Sequence, residues 1–167
     1  MNKEERDYVS DKLQVLVGTK VTDVKRKYGD VWIDFTDEHR KGYTLLMQTL
    51  FRMCDKEKIL ITDTDKYKNP DSESDDLFEW HVQGANLFDK WVAANKDKLL
   101  KGLLVKEVNV TKYGDLVITF DQNITLTVYV EVTNDTECWR FFEEGIDEEY
   151  DLVVLGNRVM GVGVDKS

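Results

Sequence analysis

The 167-residue chain carries 23 Lys and Arg against 33 Asp and Glu, a formal net charge of −10, and it is 41% hydrophobic and 34% charged. That length supports one ordinary domain or two small ones, and that composition can bury a core, which argues against wholesale disorder. The acidic excess repels a phosphate backbone, so the expected partner is a basic protein and no nucleic acid.

No apolar run approaches the length of about 18 residues that crosses a bilayer, and Met1 to Asp7 lacks the apolar stretch of a signal peptide. The expectation is a cytoplasmic protein with no membrane partner. The two cysteines, Cys54 and Cys138, are too few for a disulfide framework or a four-thiolate zinc site, and read as free thiols.

An internal repeat organises the chain. Gly18-Thr-Lys-Val21-Thr-Asp-Val24 lines up with Gly102-Leu-Leu-Val105-Lys-Glu-Val108 at a shift of 84 residues. After a one-residue insertion, Lys27-Tyr28-Gly29-Asp30-Val31-Trp32-Ile33-Asp34-Phe35 falls on Lys112-Tyr113-Gly114-Asp115-Leu116-Val117-Ile118-Thr119-Phe120. The same shift carries Asn2 to Asn86 and Lys12 to Lys96, so the expected units are 1–84 and 85–167.

In chain order, Asn2 to Leu16 reads as a helix, with Asn2 as its cap, acids in the first turn and Gly18 as its stop. Val21 to Lys27 and Val31 to Phe35 read as a hairpin turned by Tyr28-Gly29-Asp30, the glycine supplying a positive φ. Tyr43 to Met53 and Ile59 to Asp63 read as a strand pair across Asp55-Lys56-Glu57. Leu77 to Val82 reads as a closing strand, although Phe78, Val82 and Ala85 also fit a helical stripe that would extend over 77–100.

The second unit repeats the plan. Asn86 to Leu100 is a helix that presents Phe88, Trp91, Val92, Asn95, Leu99 and Leu100 on a broad face and stops at Gly102. Its hairpin is followed by Ile124 to Val132 paired with Glu137 to Phe142 across Thr133-Asn134-Asp135, and Leu152 to Leu155 closes it. The spacing of Cys54 and Cys138 is accidental, because Trp139, Phe141 and Phe142 match Ile59, Leu60 and Ile61 by hydrophobicity. The fold class is therefore α+β: two tandem copies of a helix followed by an antiparallel sheet, related by a pseudo-two-fold and sharing a core.

Signatures of chemistry are scarce. Neither the dinucleotide fingerprint nor the phosphate loop occurs, and an EF-hand starting at Asp71 would need glycine and glutamate where Asp76 and Val82 stand. No cofactor, metal site or catalytic residue is expected. His39 lies in a polar loop and His81 between Trp80 and Val82, and neither recurs in the other copy.

The acids are more informative. Asp71, Glu73, Asp75, Asp76 and Glu79 form one cluster without a base, and Glu143, Glu144, Asp147, Glu148, Glu149 and Asp151 form another, each preceding the closing strand of its copy. They read as solvated loops or as symmetry-related edges that steer a basic partner. Trp32, Trp91 and Trp139 occupy core positions. Trp80 and Tyr150 flank the acids, as aromatic anchors flank a charged rim at interfaces.

The second copy, with Val105, Val108, Asp115 to Phe120, Leu126-Thr127-Val128 and Glu137-Cys138-Trp139-Arg140-Phe141, resembles small bacterial β-rich domains found among immunity proteins of polymorphic toxin systems. The resemblance rests on sheet-pattern residues and implies a role for no single one. Together with the acidic segments and the flanking Trp80 and Tyr150 read above, it leads to the expectation of an immunity-type inhibitor whose acidic surface occupies the basic cleft of a toxin domain. The competing expectation is a small-molecule or enzymatic site between the copies, lined by Trp80, His81 and Trp91.

Overall fold

Asn2 caps the first helix, α1 (Lys3–Leu13), by a reciprocal pair of bonds: its side chain accepts from the Glu5 N–H at 2.9 Å while the Glu5 carboxylate accepts from the Asn2 N–H at 2.8 Å. A short 3₁₀ turn, Gln14–Leu16, continues it and buries Leu16. Asn86 caps α2 (Leu87–Asn95) with one such bond, its side chain accepting from the Asp89 N–H, and a π-helical turn, Lys96–Leu100, follows. Gly18 and Gly102 end these segments with φ of 90° and 91°, a region glycine enters without a Cβ penalty.

The structure, a computed structural model, describes residues 1–71, 78–147 and 151–161. Its strands are β1 (Lys20–Lys27), β2 (Asp30–Thr36), β3 (Gly42–Met47), β4 (Phe51–Cys54), β5 (Ile59–Thr62), β6 (Val105–Val110), β7 (Leu116–Phe120), β8 (Thr125–Val128), β9 (Glu137–Glu143), β10 (Leu152–Leu155) and β11 (Val159–Met160). They form a six-stranded sheet ordered β1-β2-β3-β9-β10-β11 and a five-stranded sheet ordered β5-β4-β8-β7-β6. All the pairings are antiparallel. The protein is thus α+β with two antiparallel sheets.

Each sheet mixes strands from both ends of the chain, because the chain changes sheets twice. The first crossing is at Gln48 to Leu50, where the Glu131 carboxylate accepts from the Thr49 hydroxyl at 2.9 Å and the Leu50 N–H at 3.0 Å. The second lies between β8 and β9. The sheets also meet along β1 and β6: Val21 N–H donates to Leu103 O at 3.0 Å, Val105 N–H to Thr19 O at 2.9 Å, and Lys20 bridges Leu104.

Alternation along the strands fills one continuous core. Val31, Ile33 and Phe35, Leu45 and Met47, and Trp139 and Phe141 from one sheet join Phe51 and Met53, Leu116, Ile118 and Phe120, and Leu126 and Val128 from the other. Val9 and Leu13 of α1, with Phe88 and Val92 of α2, complete it. Trp139 is fully buried, and its indole N–H donates to Gly114 O at 3.2 Å, so its polar atom is satisfied as burial requires.

Two cations, Arg26 and Lys66, are buried and paired with carboxylates. Arg26 Nε donates to Asp89 Oδ1 at 2.8 Å and Nη2 to Oδ2 at 2.6 Å, with side-chain exposures of 0% and 3%. Arg26 also donates to Tyr28 O at 2.5 Å and Val82 O at 3.3 Å, and the Gly84 N–H donates to Asp89 at 2.8 Å. Lys66 pairs with Asp63 at 2.5 Å and donates to Gly29 O. Burial pushes the Asp63 carboxyl above its ordinary pKa although Lys66 pulls it down.

Several expectations fail for tertiary reasons. Tyr43 to Met53 is two strands in different sheets, since the chain turns out of one sheet at Gln48 to Leu50. Strands β8 and β9 do not pair: β8 lies between β7 and β4, and β9 between β3 and β10. Opposite Trp139 and Phe141 stand Met47 and Leu45, and opposite Phe51 and Met53 stand Val128 and Leu126, so the place of Trp139 in its sheet resembles that of Phe51 rather than Ile59. Phe78 to Val82 forms turns, neither strand nor part of a long helix, and Leu77 lies outside the described residues. Trp32 and Trp91 are half-buried, whereas Trp139 alone of the three is fully enclosed.

The hairpin turns also differ from expectation. Tyr28, with φ 54°, takes the left-handed position in the first, and Gly29 does not; in the second, Gly114 takes it with φ 97°. A Cβ at Gly114 would sit 3.1 Å from Val130 and 3.2 Å from Met1, whereas one at Gly29 would meet only the Tyr67 hydroxyl at 3.9 Å. Gly114→Val should therefore destabilise by about 1–3 kcal/mol, and Gly29→Val by clearly less. Equal shifts of the urea midpoint would contradict this assignment of the turns.

Candidate functional site

The Glu143 to Asp147 segment leaves the end of β9 beside two clefts. One, of about 290 Å³, is lined by Lys12 and Val15 next to α1, by Tyr43, Phe141, Phe142 and Leu152 of the sheet, and by Glu143, Ile146 and Asp151. The other, of about 200 Å³, lies on the outer face of the same sheet among Trp32, Leu46, Arg140, Phe142, Glu144 and Ile146. Tyr43 and Phe141 stack at 5.9 Å as an aromatic floor, and Phe142 meets Trp32 edge-on at 6.2 Å. Ile146 is 50% exposed and Val15 47%, which leaves apolar surface beside the carboxylates.

The charges here are partly internal. Glu143 pairs with Lys41 at 2.7 Å, and its hydrogen bond raises the pKa of that ammonium. Arg140 holds Glu137 at 2.9 Å and Asp151 at 3.1 Å, and its pKa is raised first by its bond to Glu137. Asp151 is thereby drawn into the fold, whereas Glu144 and Asp147 stand exposed. Glu148, Glu149 and Tyr150 lie outside the described residues.

Asp71 and Trp80 stand elsewhere. Asp71 is exposed and pairs with Lys90 of α2 at 2.5 Å, lining a different cleft with Glu79, Val82 and Ala85. The ring of Trp80 meets Tyr67 edge-on at 4.9 Å, and its carbonyl is held at 2.9 Å by the buried side chain of Asn86. Glu73, Asp75 and Asp76 are outside the described residues. The two acidic segments do not occupy equivalent places, because 143–147 begins the connection of adjacent strands β9 and β10 whereas Asp71 follows β5 with no strand at 78–82.

Trp80, His81 and Trp91 line none of the three clefts described above. The Cys138 thiol is buried and faces Thr136 O at 3.8 Å, and burial pushes its pKa up, away from the thiolate a nucleophile needs. Among the described residues no group of three or more His, Cys, Asp or Glu is placed to hold a metal ion, and no helix is long and apolar enough to cross a membrane. The cleft residues Val15, Tyr43 and Ile146 carried no sequence signal of their own, because strands distant in the chain bring them together. Tyr28 was signalled only through the duplicated Lys-Tyr-Gly-Asp, and Tyr67, which meets Trp80, carried no signal of its own.

Fold and clefts together define the class, an α+β protein of two antiparallel sheets with acid-rimmed surface clefts. No protein-family model, curated protein or solved structure matches the chain.

Proposed function

We propose that the protein is a non-enzymatic, acidic protein-binding module of the cytoplasm, an immunity-type inhibitor whose carboxylates occupy the basic cleft of a toxin domain such as a nuclease. The observation that carries this reading is that Glu143 lines both clefts, the one floored by Tyr43 and Phe141 and the outer one that Glu144 also lines, with Ile146 exposed at both and Asp147 exposed next to it in the chain. Carboxylates on a protein of net charge −10 steer a cationic partner, and the apolar floor supplies the short-range contact that slows dissociation. Asp71 and Glu79, which line a separate cleft, belong to a second acidic surface in this reading.

The test is Glu143→Gln, Glu144→Gln and Asp147→Asn together. Stability should change by no more than about 1 kcal/mol, since Glu144 and Asp147 are exposed and a partly exposed ion pair such as Glu143 with Lys41 contributes little. Association with a partner captured from the source cell should slow by about tenfold at low salt, and the difference should shrink as salt is raised. An association rate that is unchanged and insensitive to salt would sink the electrostatic mechanism.

We also read the chain as two tandem units, 1–84 and 85–167, related by a pseudo-two-fold with their later strands exchanged. Three observations support this. One sheet contains β1-β2-β3 of the first unit and β9-β10 of the second, while the other contains β6-β7-β8 of the second and β4-β5 of the first. The reciprocal bonds of Val21 to Leu103 and Val105 to Thr19 fall at the 84-residue shift. So do Lys20 and Leu104. The separated halves are the test of this reading.

A further inference from the structure

We propose that the tip of the β1–β2 hairpin, the exposed ring of Tyr28, is a preorganised seat for a cationic side chain, arginine or lysine, carried by a protein partner. This extends partner binding to a face other than the Glu143 cleft and rests on the reading above only for the sign of the partner's charge.

Tyr28 holds φ 54°, a conformation that glycine adopts without strain, although Gly29 stands next to it and does not take that position. The turn alone would be better made with glycine at 28, so the aromatic side chain is what the position retains. Two buried cations grip the backbone from beneath: Arg26 donates to Tyr28 O at 2.5 Å and Lys66 donates to Gly29 O, each cation held by its own carboxylate. Buried ion pairs add little net stability but, once formed, fix geometry tightly. The result is a rigid turn whose Tyr28 side chain projects with the residue 71% exposed. An aromatic group fixed before binding is the usual form of an interface anchor, because little freedom remains to be lost.

The surroundings specify a cation. Tyr67 is 42% exposed beside the tip, its ring already faced by the Lys66 ammonium at 5.5 Å and packed edge-on against Trp80, so the open ring of the group is that of Tyr28. Asp63 and Asp30 lie close enough to act on the Tyr67 hydroxyl, whose pKa burial and these two carboxylates raise against the opposing pull of Arg26. The second hairpin shows how this motif uses its ring: in Lys112-Tyr113-Gly114-Asp115 the Lys112 ammonium sits 4.8 Å over the face of Tyr113. Tyr28 belongs to the same four-residue motif, yet among the described residues no cation lies over its ring. A partner's arginine or lysine would occupy the place that Lys112 takes in the other hairpin.

The experiment uses the full chain and an oligoarginine peptide, titrated by calorimetry at low salt. The parent should bind, and Tyr28→Gly should weaken binding about tenfold while the urea midpoint holds or rises, because glycine removes the left-handed strain. Tyr28→Asn, which also tolerates φ > 0, should lose affinity equally, whereas Tyr28→Phe should keep it, since the ring face rather than the hydroxyl makes the contact. Tyr113→Phe and Tyr113→Ala should leave affinity within about twofold because Lys112 already covers that ring. A parent that does not bind the peptide, or a Tyr28→Gly protein that binds within twofold of it, overturns the proposal. If the Glu143, Glu144 and Asp147 neutral variant loses the peptide and Tyr28→Gly keeps it, the cleft reading survives and the seat does not. The reverse pattern retains the seat and discards the cleft.

Discussion

Replacing Asp89 by alanine should lower the unfolding free energy by about 3–5 kcal/mol, because Arg26 would remain charged inside the protein with no carboxylate to compensate it. Arg26 and Asp89 make two bonds to each other with side-chain exposures of 0% and 3%, so water cannot take the carboxylate's place without opening the structure. The Gly84 N–H would lose its acceptor as well. Replacing both partners by apolar residues of similar volume, Arg26→Met with Asp89→Leu, should recover most of the loss, since no unpaired charge then remains. Urea denaturation of the three variants checks this. A loss below about 1 kcal/mol for Asp89→Ala would mean that Arg26 finds another partner or reaches water.

The largest effect of all is expected from dividing the chain. Residues 1–84 and 85–167 expressed apart should each fail to fold, and mixing them should restore the native circular dichroism of the intact chain. The first half alone would carry β1-β2-β3 without β9 and β4-β5 without β8, leaving Leu45 and Met47 on one exposed sheet edge and Phe51 and Met53 on another. Units of about 84 residues are marginal even with a complete core. Each half here lacks the strand that completes each of its sheets, so the intact chain should unfold in one transition seen alike by tryptophan fluorescence and far-ultraviolet circular dichroism. Independent folding of either half would remove the exchanged-strand account of the two units.

Such interdependence explains what could and could not be read from the chain. Local chemistry is legible because it is decided within a few residues. Asn2 with Glu5, and Asn86 with Asp89, place the helix starts; Gly18 and Gly102 place their ends; alternation identifies Val21 to Lys27, Val31 to Phe35 and Leu116 to Phe120 as strands. Hydrophobic periodicity says which side of a strand is apolar, but it is blind to which sheet receives that side. Tyr43 to Met53 therefore reads as one strand although Gln48 to Leu50 carries it from one sheet to the other, and β8 and β9 read as a hairpin although they never pair. The deciding interactions there, Glu131 on Thr49 and Leu50, join residues about eighty positions apart. The candidate sites follow the same division. Sequence charge alone marks Glu143, Glu144 and Asp147 as a group, but the aromatic floor of the cleft that Glu143 lines comes from Tyr43 and Phe141, which are adjacent only because β3 pairs with β9. Likewise the duplicated Lys-Tyr-Gly-Asp marks both hairpin tips. That Tyr28 rather than Gly29 takes the left-handed position, with Arg26 and Lys66 fixing the carbonyls beneath it, depends on Asp89 and on the segment after β5, whose places are set by packing at long range.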